Sequence, residues 1–69
     1  MRIELSRHAL EQARERGISI NEIKRTIERG TKHLQESNKI IADYAHIRIV
    51  YKIIEKINYI ITVMIRIPR

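Results

Sequence analysis

The sequence predicts an α+β domain, with two N-terminal helices on one face of a three- or four-stranded antiparallel sheet. Three observations carry that reading. Apolar residues recur at helical spacing up to Gly30, and Gly17 and Gly30 punctuate that half. After Gly30 the period switches to alternation. From His46 to Ile67 the chain reads HIRIVYKIIEKINYIITVMIRI, two long strands around a turn, and its isoleucine, valine and tyrosine suit a pleated, half-buried surface.

In chain order, Ile3 and Leu5 alternate with Arg2 and Glu4, enough for a short edge strand. Ser6 reads as an N-cap, Arg7 to Arg16 as a helix, and Gly17 as its left-handed C-terminal residue. Ala9, Leu10 and Ala13 form that helix's thin apolar stripe, with His8, Gln12 and Glu15 on the other side and Arg16 towards the flank. Ile18 staples a second helix, which Ser19 and Glu22 open as a capping box. Ile20, Ile23 and Ile27 are its buried face and Gly30 closes it. Thr31 to Glu36 is a weak strand candidate, Ser37-Asn38 a turn and Lys39 to Tyr44 a short strand. Ala45 reads as a bend, and Pro68 ends the last strand.

Alternation gives the long hairpin two unlike faces. Ile47, Ile49, Tyr51 and Ile53 share one, with Tyr59, Ile61, Val63, Ile65 and Ile67 from the second arm. His46, Arg48, Val50 and Lys52 share the other, with Thr62, Met64 and Arg66. Opposed residues of an antiparallel pair point the same way, so this grouping requires an odd loop, Glu55–Ile57 or Glu55–Tyr59. One face needs a cover. The other is cationic.

The 69 residues are read as a single domain, 1–69, with an aliphatic core, since Phe and Trp are absent. Without cysteine there is no disulfide scaffold and no thiolate metal site. No stretch spans a bilayer and no signal peptide is legible, so a cytoplasmic location and no membrane partner are expected. Abundant Ile, Arg, Lys and Glu resemble a thermophile's composition. A net charge of +6, from 14 basic against 8 acidic residues, favours a polyanion, nucleic acid first.

Most chemistries lack their residues. His8, His33 and His46 fall on three elements without ligand spacing, and the acids are scattered, so neither a metal nor another cofactor is expected. The glycines sit at helix ends rather than in a phosphate loop, and Ser6, Ser19 and Ser37 read as caps or turns. A metal-independent ribonuclease needs less: a base, an acid and cations around a phosphorus attacked by the adjacent 2′-hydroxyl. His8, Arg16, His46, Arg48, Tyr51, Lys52 and Arg66 are the right types, although Tyr51 has inward parity and reads as core.

Ser6-Arg7-His8-Ala9-Leu10 followed by Arg16-Gly17-Ile18-Ser19 resembles the opening of the domain-of-unknown-function family 4258, whose helix reads His-Ala-x-x-Arg-x-x-x-Arg-Gly-Ile. Arg48-Ile49-Val50-Tyr51 and Thr62-Val63 are similar to its later strands. The family is grouped with RelE-like toxins, so the resemblance implies a RelE-like fold and names His8 and Arg16 as catalytic candidates. It departs at Gln12, where the family has arginine.

The leading expectation is therefore a toxin-like, metal-independent RNA-cleaving domain of a toxin–antitoxin pair. Its partners would be RNA, free or ribosome-associated, and an antitoxin protein. His8 and Arg16 would serve catalysis, and His46, Arg48, Lys52, Thr62 and Arg66 would bind RNA. The alternatives are a non-catalytic nucleic-acid-binding module and a small dimeric interaction protein, the latter using Val50, Ile54, Ile60 and Met64 on the uncovered face.

Overall fold

The computed structural model describes residues 1–67, and Pro68 lies outside them. Strand β1 (Arg2–Leu5) leads into helices α1 (Arg7–Arg16) and α2 (Ile20–Arg29). Strands β2 (Thr31–Leu34), β3 (Ile40–Tyr44), β4 (Ile47–Ile54) and β5 (Ile57–Ile65) follow. The order across the sheet is β1-β5-β4-β3-β2.

Both helices form where their caps dictate. The Ser6 hydroxyl accepts the Ala9 N–H at 3.0 Å, and Gly17 closes α1 in the left-handed region at φ 64°. In α2 the Ser19 hydroxyl accepts the Glu22 N–H while Glu22 Oε1 accepts the Ser19 N–H, a complete capping box. Gly30 closes α2, as read, but outside the left-handed region, with φ −73°. It is required instead because a Cβ there would run into the Thr26 and Asp43 carbonyls.

The predicted three- or four-stranded antiparallel sheet is wrong. The sheet has five strands and is mixed, because β1 pairs parallel with β5, Arg2 beside Ile57 through Leu5 beside Ile60. Alternation marks β1 as a strand but carries no information about its neighbour. What decides is that β1 feeds α1 directly while its Ile3 and Leu5 pack against the core. It thereby fills the side of β5 that the hairpin leaves unpaired. β2 also pairs fully with β3, although all four of its residues are exposed.

The loop expectation fails as well, yet its parity survives over part of the hairpin. The turn is only Glu55-Lys56, with both residues in the left-handed region (φ 48° and 67°) as a two-residue hairpin turn of type I′ needs. Asn-Gly, the usual signal, is absent, so the turn was not legible. Near it Tyr51 faces Ile60 and Lys52 faces Tyr59. A bulge at Ile61 then shifts the register by one, so Val50 faces Thr62 and Arg48 faces Met64. Tyr59, expected on the apolar face, consequently joins Lys52, and Ile60 takes the buried position.

Helix α1 packs chiefly on β5, and α2 on β3 and β4. Between helices and sheet lie Ala9, Ala13, Ile23, Ile49, Ile60 and Val63, each 5% exposed or less. Leu10 and Ile20, expected inside, stay partly exposed (39% and 45%), and Thr26 is buried in α2 with its hydroxyl donating to the Glu22 carbonyl at 2.8 Å. Tyr51 is core, as its parity implied, and burial pushes its phenol upward. Among the described residues no helix is long and apolar enough to cross a membrane.

Candidate nucleic-acid interface

The sheet's second face carries no helix, and register defines what it presents. One row runs His33, Ile41, Val50, Thr62; the next runs Thr31, Asp43, Arg48, Met64. Arg66 follows on the same side of β5, its backbone N–H donating to the His46 carbonyl at 2.8 Å. Lys52 shares the face beside Tyr59, about 13 Å along β4 from Arg48. Arg48, Lys52 and Arg66 therefore lie on one helix-free surface.

Asp43 organises the centre of that surface. Arg48 grips it in a two-bond fork, Nε to Oδ1 at 2.7 Å and Nη2 to Oδ2 at 2.9 Å. Arg66 Nε lies 3.9 Å from the same Oδ1. Asp43 is only 8% exposed, so most of its contact with water is replaced by guanidinium. The Arg48 hydrogen bonds, then the charges of Arg48, Arg66 and His33, hold its carboxyl below the usual carboxylate range against the opposing effect of burial. The same bonds raise Arg48. Two guanidiniums share one carboxylate, leaving a positive excess, and Arg66 Nε is buried with no hydrogen-bond partner among the described residues.

His46 is exposed in the two-residue turn Ala45-His46 that joins β3 to β4. It also lines a small cleft of about 90 Å³ with Glu22, Arg25, Tyr44 and Ile47. Ser19 holds the Glu22 carboxyl below its usual range, with smaller contributions from His46 and Arg25.

His8 and Arg16 are not part of this cluster. They ride on α1, whose Ala9 and Ala13 face the opposite side of the sheet. No hydrogen bond or ion pair joins either residue to Arg48, Lys52 or Arg66 among the described residues; Arg16 reaches only Glu15, at 4.0 Å. Their geometry is nevertheless ordered. His8, Gln12 and Arg16 are four residues apart and form one helix ridge, drifting about 40° per step. Gln12 Oε1 accepts the Val63 N–H at 2.9 Å, on the edge of β5 beyond the end of β1. The ridge therefore borders the edge of the strand whose outer face holds Thr62 and Arg66.

Sequence reasoning passed over Asp43 and the bond of Gln12 to β5. Asp43 had a usable signal: a two-residue loop at Ala45-His46 sets it directly opposite Arg48. Nothing in the sequence announces that Gln12 bonds a strand edge. No group of three His, Cys, Asp or Glu side chains capable of holding a metal occurs among the described residues.

Fold and site together define a class: a helix pair on one face of a mixed five-stranded sheet, with a bare cationic face behind. The model of the family described as a domain of unknown function, DUF4258, matches residues 5–65, and the chain belongs to that family. Comparison with curated proteins and with solved structures gave no match.

Proposed function

We propose that this chain is a metal-independent RNA-cleaving domain of the RelE-like toxin type, which takes the RNA backbone on its helix-free face. The observation that carries the reading is the gathering of Arg48, Lys52 and Arg66 on one surface of a chain of net charge +6. Guanidiniums suit phosphate oxygens by geometry, and exposed strands admit a flexible single strand where helices would block it. With only three tyrosines and no phenylalanine or tryptophan, base stacking contributes little, so recognition is by backbone charge.

Cleavage then requires a proton carrier next to the bound phosphate. An RNA crossing the edge of β5 meets Thr62 and Arg66 on one side and the His8–Arg16 ridge on the other. In this scheme His8 takes the 2′-hydroxyl proton as that oxygen attacks phosphorus. The P–O5′ bond breaks to leave a 2′,3′-cyclic phosphate, and the departing 5′-oxygen takes a proton from water. Arg16 with Arg66 neutralises the charge growing on the phosphoryl oxygens. His46, in the turn between β3 and β4, contacts the flanking backbone. A protein partner that silences the domain completes the toxin–antitoxin reading.

The test is incubation with single-stranded RNA in EDTA. Cleavage by the native chain, lost by at least about a hundredfold in His8→Ala and Arg16→Ala, is expected. No cleavage, or undiminished cleavage by both variants, removes the enzyme. A non-catalytic binding module is the second reading, favoured by Gln12 standing where an arginine would supply another cation and by Arg48 being spent on Asp43. Salt-sensitive RNA binding without turnover is its signature.

A further inference from the structure

The two edges of the sheet are treated differently. On the β5 side, β1 pairs with Ile57–Ile60, and beyond it the Ser6 N–H bonds the Ile60 carbonyl, the Ser6 hydroxyl bonds the Ile61 carbonyl and Gln12 bonds the Val63 N–H. Side chains have been recruited to cover the stretch of β5 that β1 leaves unpaired, β1 being the outer strand there. On the β2 side, among the described residues, the Lys32 ammonium bonds the Gly30 carbonyl and no side chain bonds the backbone of Lys32 or Leu34.

The polarity of β2 follows from its register. The Gln35 N–H donates to the Lys39 carbonyl at 2.8 Å, in step with the pairs His33–Ile41 and Thr31–Asp43. Alternation then turns the N–H and C=O groups of Lys32 and Leu34 away from β3, to the open edge. Leu34 is 83% exposed, a large aliphatic side chain that α2 does not reach. Past it the edge continues into an open groove lined by Leu34, Gln35, Glu36, Ser37 and Lys39. The groove is shaped by Ser37 and Asn38, both held at positive φ without being glycine.

We infer that the β2 edge and this groove dock an acidic, extended segment of a partner protein, which adds a sixth strand to the sheet. Unpaired backbone groups supply the ladder, and Leu34 supplies an apolar contact. Charge selects the occupant. The edge strand, Thr-Lys-His-Leu, contains no acid and belongs to a chain of net charge +6, so a second copy would bring Lys32 and His33 against their own kind. A segment bearing glutamate or aspartate at alternate positions presents them to one face of the sheet, meeting Lys32 there or His33 on the other face, with Lys39 in the groove beyond, and it passes Glu36. Lys32, whose ammonium donates to the Gly30 carbonyl at 3.0 Å, keeps the edge from pairing with itself while leaving it open to an acidic strand. The inference does not depend on RNA cleavage.

The experiment uses the full chain and two end-blocked six-residue peptides, one alternating Glu and Val, the other Lys and Val. At a concentration about ten times Kd, the Glu peptide is expected to slow amide exchange at Lys32 and Leu34 about tenfold. The Lys peptide leaves exchange unchanged. Lys32→Pro, which removes one outward donor at a position where an edge strand tolerates proline, abolishes the effect. Lys32→Glu reverses the preference between the peptides and keeps the test decisive if the proline variant does not fold. Unchanged exchange at both amides with millimolar Glu peptide overturns the inference. So does protection confined to α1 or the bare face, or a mass that doubles with concentration and identifies a second copy as the occupant. RNA cleavage lost without any effect on peptide protection would count against the proposed function alone.

Discussion

Asp43 shows how one side chain can hold a face together. Its charged form is favoured in the folded chain, so the stabilisation it gives is present above the ordinary aspartate range and is lost as pH falls through its lowered value. Asp43→Asn is expected to lower stability by about 1–3 kcal/mol at pH 7, with Arg48 40% exposed and the pair discounted accordingly. The gap to the native chain should close on acidification, as urea titrations at several pH values would show. Ala45 makes the opposite case. It sits at φ 52°, a region costing a non-glycine residue about 1–2 kcal/mol, so Ala45→Gly is expected to raise Tm by several degrees in a thermal melt. At this scale the sequence was informative about caps, where Ser6, Gly17 and the Ser19–Glu22 box announce themselves chemically. It was silent about Gly30, whose reason is a close approach between distant carbonyls.

Elements meet where side chains replace backbone. Helix α1 has only two small buried residues, Ala9 and Ala13, and too little apolar area to hold itself in place strongly. The Gln12 bond to Val63 compensates and seals the strand edge. Gln12→Ala would leave that N–H unpaired, with an expected loss of about 1–3 kcal/mol and faster amide exchange at Val63. Unchanged exchange there would show that the bond does not hold. Helices, strands β3 to β5 and the inward parity of Ile49 and Tyr51 could all be read from periodicity, because a period reports which face is buried. The bulge at Ile61, the two-residue turn without Asn-Gly and the parallel docking of β1 could not. Each depends on partners far away in the chain, and alternation within a strand is indifferent to which strand lies beside it. The same limit separated His8 and Arg16 from the cations of the bare face until the Gln12 contact showed what lies between them.

For the whole molecule, 69 residues leave little margin. Truncating Ile49, which is fully buried, is expected to cost about 2–5 kcal/mol, a large share of the total stability of so small a domain, and equilibrium unfolding in urea would register it. The apolar side is thus committed to folding, and the face behind it is released for charge. The most direct test of that division is the affinity for single-stranded RNA measured against salt concentration, for the native chain and for an Arg48→Ala, Lys52→Ala, Arg66→Ala triple variant with Asp43→Ala to avoid an orphaned carboxylate. The native chain should lose affinity steeply as salt rises, and the variant should bind at least about tenfold more weakly with a shallower slope, by roughly 0.7 for each phosphate contact removed. Equal affinity and equal slope in a folded variant would contradict the claim that RNA is held on the helix-free face.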